Sequence, residues 1–155
     1  MSQVASAFVL WTKEIEPLAR LLAEKNHKAF WEGISKAGSI TAEFDYSGSV
    51  LNVLLTYWEE HGVQMPLSLD KPAFASLAAH DVGLQVCADY SDAEAAVEAL
   101  EKLELNKDEL QSYFNEFTHD DWDEAGVAMA EGWQYVLAGL REVDLDGKCY
   151  LLFVG

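Results

Sequence analysis

Residues 84–105 read LQVCADYSDAEAAVEALEKLEL, and along this stretch the hydrophobic period changes from that of a strand to that of a helix. Leu84, Val86 and Ala88 alternate with their neighbours, which predicts a strand over Leu84–Tyr90. Ser91 or Asp92 then offers a side-chain oxygen to free backbone N–H groups, so a helix is expected over Ala93–Leu105. On that helix Val97, Leu100 and Leu103 fall broadly on one side. Glu94, Glu98, Glu101 and Glu104, spaced i, i+4, i+7 and i+10, fall on the other. A strand running into a helix across so short a turn makes the chain a mixed one.

Upstream the pattern recurs. Ile40, Ala42 and Phe44 alternate with Thr41, Glu43 and Asp45, predicting a strand over Ser39–Tyr46. Ser47-Gly48-Ser49 turns into a helix over Val50–His61, with Leu51, Leu54, Leu55 and Trp58 as its buried stripe and Gly62 as its stop. Asp45-Tyr46-Ser47 and Asp89-Tyr90-Ser91 stand 44 residues apart, which fits either a duplicated unit or the preference of Asp and Ser for such junctions. Ser2–Lys25 reads as helix in two pieces, with Pro17 in the first turn of the second and Leu18, Leu21 and Leu22 as its stripe. His27–Lys36 adds a helix through Phe30, Trp31 and Ile34, and a brief helix is expected over Pro72–Ala79.

Downstream, Leu110, Tyr113, Phe114 and Phe117 mark a helix over Lys107–Phe117. Asp121 and Glu124 match a capping box for a helix over Asp121–Ala138, closed by Gly139. Leu140–Leu145 and Lys148–Val154 flank Asp146-Gly147, which predicts a C-terminal β-hairpin. The fold expected is α+β: one domain over residues 1–155, a small antiparallel or mixed sheet with several helices packed on it.

Composition narrows the function. Half of the 155 residues are apolar and 12% aromatic, enough for a real core, so the net charge of −17 does not signal disorder. The charge is unevenly spread: Asp81–Asp146 holds 18 acids against Lys102, Lys107 and Arg141, whereas residues 1–80 hold nine acids and six bases. Such a surface repels phosphate backbones and anionic lipid, so neither nucleic acid nor a membrane surface is expected as a partner. Val50–Leu55 and Tyr150–Val154 fall short of the roughly 18 to 20 apolar residues a bilayer span needs. Met1-Ser2-Gln3-Val4 has neither the basic nor the apolar region of a signal peptide. Cys87 and Cys149 form no CxxC pair and read as reduced thiols of a cytoplasmic protein.

Thr118-His119-Asp120-Asp121-Trp122-Asp123-Glu124 is the densest polar cluster. His and carboxylates are the donors that zinc or manganese takes, but HExxH spacing is missing, and acids at a helix start also serve its free N–H groups. Asp144-Leu145-Asp146-Gly147 resembles the opening of a calcium loop but lacks the third ligand position and the closing Glu, and it reads better as a turn. His27, His61, His80 and His119 are isolated, and no nucleophile elbow or phosphate loop is present. Trp122 among four acids is either an interface anchor or a core residue packed on Trp133 or Phe117.

These features point to a binding protein without catalytic residues, metal or cofactor, which meets a basic protein through Glu94, Glu98, Glu101, Glu104, Asp120, Asp121, Trp122, Asp123 and Glu124. In broad character the chain resembles the bacterial immunity proteins, which are small, single-domain, acidic and free of catalytic motifs. The resemblance lies in composition and architecture over the whole chain and transfers no residue. It implies a protein that inhibits a toxin enzyme by covering its basic site with carboxylates; a DNA mimic would use the same physics. The alternatives are a metal-dependent or acid–base enzyme with its site at His119–Glu124, joined by Asp45 and Asp89, or an adaptor module whose charge serves solubility. A monomer is expected, or a weak homodimer paired through an exposed edge at Tyr150–Val154.

Overall fold

Lys148–Val154 forms a strand in which every side chain from Cys149 to Val154 is buried. That continuous burial, in a computed structural model that describes residues 3–155, follows from the strand's position. It is the middle of three, flanked antiparallel by β1 (Ala5–Trp11) and β2 (Leu84–Asp89), and is named β3 by chain order. Phe8 and Cys87 both stand opposite Leu151, and a register shift between Leu84 and Val86 bulges the β2 edge. Helices cover both faces of the sheet, so both side-chain sets of β3 must be apolar.

Among the described residues seven helices supply the cover: α1 (Ile15–Ala23), α2 (His27–Ala37), α3 (Ser49–Glu60), α4 (Pro72–Ala78), α5 (Tyr90–Glu101), α6 (Lys107–Thr118) and α7 (Ala125–Arg141). Phe8, Leu10, Cys87, Cys149, Leu151 and Phe153 pack with α1, α2 and α4. Ala7, Val86, Ala88, Tyr150, Leu152 and Val154 pack with α3, α5, α6 and α7. The middle of that second layer is α7. It approaches the sheet so closely that a Cβ on Gly139 would lie 2.4 Å from Cε1 of Tyr150. Gly139 is therefore a contact residue inside the helix rather than its stop. None of the helices among the described residues is long and apolar enough to cross a membrane.

The strand at Leu84, the helix from Lys107 and the placement of Pro17 in the first turn of α1 agree with the periodicity. Four expectations do not. Ala5–Trp11 is strand, not helix: its two side-chain sets face two apolar layers, so no alternation shows, and a short apolar run has no period of its own. Ser2, where that helix was expected to begin, lies outside the described residues.

Ser39–Tyr46 does alternate, with Ile40, Ala42, Phe44 and Tyr46 half-buried and the residues between them exposed, but it joins no sheet. Its inner side chains lie on the second core instead, with Phe44 stacked on Tyr135 of α7 at 5.5 Å between ring centres. The C-terminal hairpin is absent, because α7 extends to Arg141 and the return to β3 is an irregular turn through Gly147 at φ +96°. Finally, Tyr150–Val154 is no free edge, which removes that route to a homodimer.

Candidate functional site

The expected acidic residues fall into two groups. Glu94, Glu98 and Glu101 lie exposed along α5, but Glu104 stands beyond its end. The helix stops early because Asn106 begins the next one: its Oδ1 accepts from the backbone N–H groups of Asp108 at 3.0 Å and Glu109 at 3.1 Å. The row is also less bare than its spacing suggests. Glu98 meets Lys102 at 3.4 Å, and Glu101 meets Arg141, from the last turn of α7, at 2.9 Å. Pairs this exposed contribute little to stability.

Asp120, Asp121, Asp123 and Glu124 form the exposed turn between α6 and α7. The capping box of Asp121 and Glu124 does not form, since α7 begins only at Ala125 with no side-chain cap. Asn115 shapes this turn: its Oδ1 accepts from the Trp122 backbone N–H at 3.0 Å and its Nδ2 donates to the Trp122 carbonyl at 3.1 Å. Trp122 is thereby half-buried, edge-on to Phe114 at 5.5 Å and to Tyr46 at 5.8 Å. It packs inward, on neither Trp133 nor Phe117. His119 terminates α6 in the left-handed conformation at φ 58°, with its side chain exposed.

Asp89 accepts from the Asp92 N–H at 2.7 Å as the cap of α5 and pairs with Lys71, far from any role with His119. Among the described residues no three His, Cys, Asp or Glu side chains come together as a metal would require. Asp45 neighbours Tyr46, whose ring meets Trp122 of the acidic turn at 5.8 Å. The Tyr46 hydroxyl is pushed above its ordinary pKa first by burial and then by the carboxylates of Glu131, Glu124 and Asp45 around it.

Glu101, paired with Arg141, and the Asp120–Glu124 turn lie at opposite ends of α7, which spans about 24 Å at 1.5 Å per residue. Between them lies a groove of about 580 Å³ along α7, where Val127, Glu131 and Gln134 are exposed, Ala138 is half-buried, and Ala130 and Tyr135 are buried. One wall is the 41–46 segment. It is tied at one end where the Thr41 N–H and hydroxyl donate to Glu142 at 3.1 and 3.2 Å, and at the other by Tyr46 on Trp122. The second wall is the link from Glu101, paired with Arg141, to Lys107, whose carbonyl lies against Gly126. Val127, Ala130 and Ala138 give the groove an apolar floor, and Glu43 and Glu131 add carboxylates.

No protein-family model matches the chain, and no curated protein or solved structure matches it. The functional reading therefore rests on this geometry. Glu43, Tyr46, Val127 and Glu131 escaped the sequence reading because they come together only when a segment far away in the chain is laid along α7. The one available signal was the alternation at Ile40, Ala42 and Phe44, which marks a segment with an inner face but not what lies beneath it.

Proposed function

We propose that this protein is an acidic binding protein that neutralises a basic protein partner, most concretely an immunity protein that inhibits a toxin enzyme by covering its basic site. One observation carries the reading: the charge is segregated across the sheet. The layer of α3, α5, α6 and α7, counted over residues 49–60 and 90–141, holds 15 acids against three bases. The layer of α1, α2 and α4, counted over residues 12–37 and 71–78, holds four acids against six bases. Solubility needs charge but not charge on one side; a one-sided field steers a partner of opposite sign into a fixed orientation. Glu94, Asp120, Asp121, Asp123 and Glu124 make no ion pair among the described residues, which leaves them for such a partner.

The test is capture from the native lysate at about 50 mM and about 0.5 M salt, where screening shortens to a few ångströms. The Glu94→Lys/Glu98→Lys/Asp120→Lys variant is run beside the parent. The expected result is a basic protein held at low salt, released at high salt, lost to the charge-reversed variant, and inhibited in its own activity by the parent. Capture that is indifferent to both salt and charge reversal would sink the proposal.

A further inference from the structure

Resting on that reading, we infer that the α7 groove is where the basic partner inserts an extended Lys/Arg-rich segment, with its apolar side chains on Val127, Ala130 and Ala138. Three independent features agree. First, the floor is apolar and the surroundings are acidic: Glu43 and Glu131 lie within the groove, and Glu124 stands with Glu131 beside Tyr46. An apolar anchor inside a rim of one charge is how a hot spot sits at an interface.

Second, the length fits. Val127 to Ala138 spans about 16 Å of helix, the reach of about five residues of extended chain. Third, the wall formed by 41–46, between bends at Thr41 and Tyr46, alternates inner and outer side chains as a strand does but joins no sheet. Among the described residues the backbone N–H groups from Ala42 to Tyr46 have no hydrogen-bond partner. An extended chain laid beside them would supply carbonyls, as when a strand adds to an open edge. Lys107 is the base on the groove's lining, and its flexible stem can swing its charge away from an incoming cation.

The probes are two fluorescein-labelled peptides of equal charge, KVKLKVK and KSKSKSK, titrated into the full chain at about 20 mM salt and followed by anisotropy. The expected result is at least tenfold tighter binding of the Val/Leu peptide. Gln134→Trp, which fills the groove from an exposed position, should abolish that preference while leaving the Ser peptide unchanged. A second readout does not depend on that variant: the Val/Leu peptide should slow hydrogen exchange over 42–46 and leave α5 unaffected. Equal binding of the two peptides, or no added protection at 42–46, overturns the groove while the acidic layer stands on its own charge-reversal test. Loss of partner capture in the charge-reversed protein together with an inert groove would show a partner seated elsewhere on that layer.

Discussion

Tyr150 carries an unusual burden for a residue of the middle strand: it is fully buried, and among the described residues its hydroxyl has no hydrogen-bond partner. An orphan of this kind costs about 1–3 kcal/mol of desolvation. The ring itself is needed, because it fills the space against Gly139. Tyr150→Phe keeps the ring and removes the orphan, so it should raise stability by about 1 kcal/mol, or about 2–4 °C in Tm for a domain of this size. Thermal melts of the two proteins decide the matter, and a lower midpoint in the variant would mean that the hydroxyl is satisfied. Burial also pushes the Tyr150 hydroxyl well above its ordinary pKa. The unfolded chain ionises from about pH 10 while the folded one stays neutral, so stability holds below that value and falls as pH rises beyond it. The variant should therefore lose less stability than the parent above pH 10. Some alkaline decline will remain from Tyr57 and Tyr113, both pushed up to about 12 chiefly by burial.

Between elements, the instructive contrast is between Leu84–Asp89 and Ser39–Tyr46, which show the same alternation and have different fates. The first meets β3 and becomes a strand; the second meets α7 and stays an unpaired segment. Period two marks an inner side and is silent about what covers it, or about burial on the other side, where Cys87 of the first segment is buried as well. The converse failure is Ala5–Trp11, where a true strand shows no period because both of its faces are covered. The hairpin expectation failed because Leu140 and Val143, three residues apart, are buried together as they continue the packing of α7, while Leu145, which a strand would bury with Val143, is exposed. Hydrogen exchange separates the two alternating segments. Amides of 42–46 should exchange far faster than those of Val86–Ala88, even at the half-buried Ala42, Phe44 and Tyr46, because only the latter set is tied into a ladder. Equal protection would show that 42–46 has a partner strand.

For the whole molecule, a layer holding 15 acids against three bases repels itself, and that repulsion opposes folding. The acidic half of the site was legible as a run of composition, because charge counts need no fold. Its focus was not, because the walls of the groove come from residues 41–46 and 102–107, which only the packing on α7 brings together. If the proposed partner is bound by these carboxylates, self-repulsion and binding draw on the same groups and must trade against each other. Asp121 and Asp123, exposed in the turn before α7, provide the test. Asp121→Asn/Asp123→Asn should raise the midpoint at about 20 mM salt by about 1–2 °C, given a few tenths of a kcal/mol per like-charge pair. The gain should vanish near 0.5 M salt, where the Debye length is only about 4 Å. Glu32→Gln on the opposite layer, where Glu32 faces Lys28 at 4.0 Å, should give no such gain. The same double variant should weaken capture of a basic partner at low salt. Stability and capture must therefore move in opposite directions, and a variant that raised or lowered both would contradict a surface kept acidic for binding.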